Sequence, residues 1–277
     1  MIDFRLLYPF FKKKAVTFSY DDGVIEDRKL IEIFNSYGFK ATFNLNYGQS
    51  GEPKTRLDKD GVEVDCSHIR LEDEFSLYDG HEIANHTYHH PHLENLTKEE
   101  QKAEFMDNTM ALENLFHHHI YGAAYPYGTF NQDSLDVQKD LGIEYDRTTR
   151  STYSFSLPAS WLLWMPTIHH RDKRVMECLE RFIHDDSELS LLYIWGHSYE
   201  FAIDHNFDLM DEICKKLKNC DDVISMTNHE VYEYVHAAMM AYHRDGKFIN
   251  PSNMDVYLNV DGKNIIVPSH GEVPYGG

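Results

Sequence analysis

The chain has 277 residues, 42 % hydrophobic and 26 % charged, enough for one sizeable globular core. Its 46 acidic against 26 basic residues give a formal net charge of −20. That balance makes nucleic acid and anionic membrane surfaces poor candidates as partners, because both demand clustered Lys and Arg.

Ala15–Tyr20 is a β-type run ending in the turn Asp21-Asp22-Gly23. Leu30, Ile31, Ile33 and Phe34 then repeat at helical spacing over 27–37, and Gly38 stops the helix. Lys40–Asn46 reads as a second strand. The stretch 47–80 is polar and weakly periodic, and a loop of that length is more often functional than idle. His81–Asn85 is a short third strand. Thr97-Lys98-Glu99-Glu100 is a capping box that opens a helix running to about Phe116. Strands are expected at 121–125, 143–148, 189–195 and 222–227, and helices at 132–141, 173–184, 208–217 and 229–242. The tail carries two β-runs around Asp261-Gly262, a hairpin signal.

Alternating strands and helices imply parallel strands with crossover helices. The expected fold is α/β: an irregular (β/α) barrel of about seven parallel strands over residues 1–245, with a C-terminal hairpin extension over 246–277 packed on it. The four cysteines, Cys66, Cys178, Cys214 and Cys220, form no C-x-x-C pair and read as reduced, buried thiols. No apolar run reaches the ~18 residues of a membrane span, so no transmembrane segment is expected. The N-terminus lacks a signal-peptide layout. The expected location is the cytoplasm for a full-length chain, and outside the cell if an export segment has been removed.

In such a fold the C-terminal ends of the strands share one rim, so polar residues there converge. They are Asp21-Asp22, His86 to His90, Tyr125-Pro126-Tyr127, Asp146-Arg147 and Trp195-Gly196-His197. His81-Glu82 and His86 are spaced H-E-x-x-x-H, which does not fit the zincin helix. His86 and His90 lie four apart, so one helical turn ending before Pro91 puts both imidazoles on one side. His86 with His89, and His89 with His92, are also open on spacing alone. Adjacent Asp21 and Asp22 point in different directions, so one can reach a metal while the other stays free. Two His and one Asp make the three protein ligands of a catalytic zinc, with one position open to water.

T-F-S-Y-D-D-G (17–23), H-T-Y-H-H (86–90), Y-P-Y-G (125–128) and I-W-G-H (194–197) resemble, in order, the motifs of the polysaccharide deacetylases, the NodB-homology domain of carbohydrate esterase family four. The resemblance covers roughly residues 15–235. It implies metal-dependent hydrolysis of the acetamido group of an N-acetylated sugar, releasing acetate and a free amine. It assigns the metal, most simply Zn2+ with Co2+, Ni2+ or Fe2+ as alternatives, to Asp22, His86 and His90. Asp21 would be the general base, His197 the general acid, and the Tyr127 N–H a donor to the oxyanion. Trp195 and Ile194 would wall the acetyl methyl group, with Pro126 also at the substrate. His81, His89 and His92 would be structural or supporting.

The family carries Arg two residues before the Pro of its third motif; here that position is Ala124. Arg147, at the next strand end, is the candidate replacement. His169 or His170 could also line the cleft, and Trp161, Trp164 and the tyrosines could stack on sugars. Two other readings remain open: a hydrolase of non-sugar amides or cyclic imides on the same fold, and a carbohydrate-binding barrel without turnover.

Overall fold

Lys14–Asp21 (β1) is buried at every residue and lies at the centre of an eight-stranded sheet in the computed structural model, which describes residues 4–275. The other strands are Thr42–Leu45 (β2), Glu82–Asn85 (β3), Gly122–Ala124 (β4), Tyr145–Arg147 (β5), Ile168–His169 (β6), Ser190–His197 (β7) and Val223–Ser225 (β8). They run in the order β5-β4-β3-β2-β1-β7-β6, and every pairing is parallel. One side of β1 pairs along its length with β7; the other is shared, its first half with β8 and its second with β2. The curl is nearly closed by one segment: Trp164 bridges Arg147, and four residues on Ile168 pairs with Ile194.

Crossover helices cover the sheet: Asp27–Tyr37 (α1), Lys98–Phe116 (α2), Gln132–Leu141 (α3), Val175–Ile183 (α4), Tyr199–Ile203 (α5), Phe207–Lys218 (α6) and Asn228–Met240 (α7). The Thr97–Glu100 capping box forms, and similar boxes at Asn131/Ser134 and Thr227/Glu230 start α3 and α7. Each satisfies helix N–H groups that would otherwise lack partners, worth about 1 kcal/mol. Gly38 closes α1 at φ 70°, where a Cβ would be strained.

The period-2 alternation of β1 and β7 sorts two cores. Val16, Phe18, Tyr20, Leu192 and Ile194 pack under α1, α4 and α6 against Leu30, Phe34, Leu179, Phe182, Met210 and Ile213. Ala15, Leu191, Tyr193 and Trp195 face the other way, toward Trp164, Val231 and Tyr234. Burying each large side chain contributes roughly 1.5–3 kcal/mol.

The C-terminal hairpin forms as Val256–Val260 against Lys263–Val267, with Asp261 and Gly262 both at positive φ. Phe4–Leu7 joins it as a third strand. A second antiparallel sheet combines Tyr242–Arg244, Lys247–Asn250 and Gly271–Pro274, so the expected boundary at 245/246 falls in the turn of one hairpin. No helix among the described residues is long and apolar enough to cross a membrane.

Candidate active site

β1 delivers two carboxylates to the rim. Asp21 ends the strand, and Asp22 follows at φ 79° with its N–H still bonded to the Asn44 carbonyl. The change of backbone region turns the two carboxylates to different neighbours; Asp tolerates this region better than most residues. Asp21 is buried: its Oδ1 accepts from Asn44 Nδ2 at 2.8 Å, and its Oδ2 accepts from Arg147 Nη2 at 2.5 Å. Arg147 is itself fully buried at the end of β5, with its guanidinium 4.3 Å above the Trp195 ring. It thus reaches the carboxylate from the strand beside the one carrying Ala124. It stands behind Asp21 rather than on the cavity wall.

The histidines come from the loop after β3. No helical turn forms there; Thr87 and His90 both take positive φ, at 63° and 58°. The loop is instead tied down by side-chain amides. Asn46 Nδ2 bonds the His86 and Thr87 carbonyls, and Asn85 Oδ1 accepts the Thr87 N–H at 2.7 Å. The outcome brings the His86 and His90 rings to 4.8 Å between centroids. His86 Nε2 and His90 Nε2 lie 3.7 and 3.6 Å from Asp22 Oδ1. His89 turns outward to Glu104, and His92 stacks on the Tyr127 ring at 3.9 Å. His81 accepts the Ala41 N–H away from this cluster.

These residues fit a divalent cation. The Ala124 carbonyl, 2.7 Å from His86 Nδ1, can only accept, so Nδ1 carries the proton and Nε2 presents a lone pair. Nε2 and Asp22 Oδ1 are both buried without a hydrogen-bond partner. Two buried acceptors facing each other are costly unless a positive charge lies between them. The ligand atoms of Asp22, His86 and His90 all lie within 4.8 Å of one another. Burial lowers His86 and takes His90 down to about 4, which keeps both rings neutral, as metal ligands must be. Burial alone would raise Asp22, but His197, His86 and His90 hold it at about 2. Burial is likewise outweighed at Asp21, chiefly by Arg147, so its carboxyl stays below the usual range.

His197 ends β7 with Nε2 4.0 Å from Asp21 Oδ2. Glu200, one turn on in α5, stands 3.4 Å from His197 Nδ1 and accepts the His197 N–H at 3.1 Å. The same carboxylate oxygen lies 3.3 Å from His169 Nε2 and 3.4 Å from His170 Nε2. Burial works against a charged His197, yet the nearby Glu200 carboxylate and those of Asp22 and Asp21 push it up to about 9. Gly196 permits this crowding, since a Cβ there would meet His170 Nδ1 at 2.1 Å. Tyr127 sits at φ 57° in the turn Pro126–Gly128, and its N–H enters no backbone bond among the described residues.

A cavity of about 470 Å³ opens over these groups, walled by Gln49, Lys54, Arg56, Tyr125, Thr149 and Tyr199 besides Asp21, Asp22, His86, His90, Tyr127, Trp195 and His197. Several expectations need correction. Ile194 is not on the wall: strand alternation sends Trp195 inward and Ile194 into the core under the helices. Pro126 is buried within its turn, off the lining. Trp164 is a core residue and Trp161 packs on it and on α7, so the cavity's aromatics are Tyr125, Tyr127, Trp195 and Tyr199 instead. His169 and His170 sit behind His197 around Glu200, not in the cleft. Glu200, Asn44 and Asn46 escaped notice in the sequence. A Glu three residues after His197 was a readable signal; the two asparagines carry none without the fold.

The site is thus a set of paired carboxylates and imidazoles at the C-terminal rim of a curled parallel β/α sheet. A family model described as "Polysaccharide deacetylase" matches residues 10–145, just under half of the chain. A Bacillus subtilis protein named as a polysaccharide deacetylase, YxkH, is 27 % identical over 138 residues. That match spans 50 % of this chain and 45 % of the relative, so less than half of the relative's length is represented. A crystal structure from Mycobacterium smegmatis described as a polysaccharide deacetylase superposes with TM-score 0.59 at 16 % identity, covering 84 % of this chain and 93 % of that one. A family-four carbohydrate esterase pseudoenzyme from Bacillus anthracis superposes with TM-score 0.51 at 16 % identity, over 81 % of this chain and 66 % of that one. At these identities the likeness establishes the fold alone.

Proposed function

We propose that this chain is a metal-dependent hydrolase that removes the acetyl group from an N-acetylated sugar, releasing acetate and a free amine. The observation that carries the reading is the orphaned, inward-facing pair of Asp22 Oδ1 and His86 Nε2, with His90 alongside and a second, separately fixed carboxylate at Asp21. A divalent cation held by Asp22, His86 and His90 would polarise the acetamide carbonyl and make hydroxide accessible near neutral pH.

The chain's own groups supply the rest. Asp21, kept ionised and immobile by Arg147 and Asn44, removes a proton from the attacking water. The Tyr127 N–H donates to the developing oxyanion; losing one such donor costs ~3 kcal/mol. His197, kept charged by Glu200, gives its proton to the leaving nitrogen. Base and acid are separate residues because one must start deprotonated and the other protonated at the same pH. Trp195, its face covered by Arg147, provides an apolar wall for the methyl group. The absence of Arg at position 124 does not argue for an inert barrel, since Arg147 brings a guanidinium to the Asp21 carboxylate.

The test is acetate release from N-acetylglucosamine oligomers by protein supplemented with Zn2+ or Co2+, with Asp21→Asn as control. Release that depends on both the metal and Asp21 supports the reading. Folded, metal-loaded protein that frees no acetate from any acetamido sugar overturns it.

A further inference from the structure

Thr55–Leu57 and Glu63–Asp65 form an antiparallel hairpin inside the long segment between β2 and β3. The hairpin is rooted against α5: Lys59 N–H bonds the Ile203 carbonyl at 3.1 Å, and Asp58 meets His205 at 2.7 Å. Exposure alternates along its first strand. Lys54, Arg56 and Asp58 are half-buried, whereas Thr55, Leu57 and Lys59 are exposed. The three inward residues fare differently. Asp58 is satisfied by His205 and by the N–H groups of Asp60 and Val62. Arg56 and Lys54 both face the active-site cavity. Arg56 lies 4.2 Å over the Tyr199 ring, and its Nε is buried without a hydrogen-bond partner.

Neither cation has a carboxylate oxygen within 4.0 Å among the described residues. This is unexpected on charge statistics, because 46 carboxylates compete for 26 cations in this chain. Most of the paired lysines and arginines lie on the outer surface, whereas these two sit beside the candidate catalytic groups without partners. A half-buried guanidinium with an unused donor is costly to keep unless a ligand satisfies it. The tyrosine under Arg56 fixes the plane of its fork for an oxyanion.

We propose that Lys54 and Arg56 form an anion-recognising wall, and that the substrate is an acetamido sugar bearing a carboxylate or phosphate near the acetylated nitrogen. This rests on the hydrolase reading above and narrows it to anionic sugars. A neutral acetamido sugar leaves both cations desolvated and unpaired.

The experiment compares matched pairs: N-acetylglucosamine joined to a lactyl-carboxylate sugar against its methyl ester, and N-acetylglucosamine phosphates against N-acetylglucosamine. Acetate release is read alongside calorimetric binding to the Asp21→Asn protein. The expected result is a kcat/KM and an affinity roughly tenfold or more higher for one anionic member, the size of a charge-assisted hydrogen bond. The carboxylate and phosphate arms decide which anion is preferred. Lys54→Gln and Arg56→Gln each shrink the preference through KM, the double variant removes it, and Lys59→Gln on the outer face leaves it intact. Equal handling of charged and neutral members, or a preference that survives the double variant, overturns the inference. If no sugar releases acetate, the hydrolase reading fails, and the binding arm still decides this one by the same comparison.

Discussion

Arg147 donates to Asp21 across two strands that are not neighbours in the sheet, at 2.5 Å and with both side chains buried. The same Asp21 oxygen lies 3.9 Å from His86 Nε2 and 4.0 Å from His197 Nε2, so the guanidinium is its nearest charged neighbour.

Removing the guanidinium should therefore leave an uncompensated buried charge. Arg147→Met is expected to destabilise the fold by about 3–5 kcal/mol. Arg147→Lys keeps a charge but loses the fork and the stack on Trp195, so it should fold better and still lose activity. The expected loss for Lys is about 10²-fold or more in kcat, the lower end of what a positioned base supplies, with KM little changed. Chemical denaturation and steady-state kinetics of both variants check this; full activity in Arg147→Lys would remove the positioning role.

Metal binding should be readable without any substrate. Titrating Zn2+ into chelator-treated protein should raise Tm progressively, with a stabilisation of about 2.7 kcal/mol once free metal reaches a hundredfold over Kd. Asp22→Asn and His90→Ala should abolish the rise. His89→Ala should not, because that ring points to Glu104 with its side chain 68 % exposed. An unchanged response in Asp22→Asn would place the metal elsewhere.

Glu200→Gln keeps the shape of the hub while removing the negative charge shared by His197, His169 and His170. His197 should then fall from about 9 toward its ordinary range. The acid must be protonated to act, so the alkaline limb of kcat should move to lower pH. Activity lost at pH 8 should exceed that lost at pH 6. A uniform loss across pH would mean that Glu200 acts only in packing.

Much of this arrangement was legible before the fold was known, and the exceptions share physical causes. Buried parallel strands read clearly where the run was long, as in Ala15–Tyr20 and Leu189–Trp195, and helices where a cap marked them, as at Thr97. Ile168–His169 is two residues long, too short for any periodicity, yet it helps close the sheet. Phe4–Leu7 pairs with residues about 250 positions away, a contact no local pattern reports. The metal candidates were narrowed by motif order, not by helical geometry, because the 86–90 loop reaches its form through Asn46 and Asn85. Ile194 was misplaced because a motif names neighbours in sequence, while a strand sends them to opposite faces. Arg147 stands out in the sequence because position 124 lacks an expected charge and the next strand end offers one.

Asp27 offers a prediction about stability that is independent of catalysis. It starts α1, is fully buried, and accepts from Ser198 Oγ at 2.5 Å and Tyr78 OH at 3.0 Å. Burial outweighs these two bonds and raises its carboxyl to about 8. Between about pH 4 and pH 8 the folded state therefore holds a proton that the unfolded chain has released. Stability from this group is greatest below pH 4, falls as pH rises, and levels off above 8. Half-buried histidines such as His81 and His90, both lowered to about 4, act oppositely, adding stability as pH rises from 4 toward 6.5. The whole-protein curve mixes the two, so the group is isolated by difference. Asp27→Asn keeps an acceptor for Ser198 and a polar partner for Tyr78 but cannot ionise. Its stability relative to the parent should increase steadily from pH 4 to pH 8 and then hold constant. Parallel denaturation curves over that window would mean that Asp27 is ionised in the folded protein and that its two hydroxyl partners outweigh its burial.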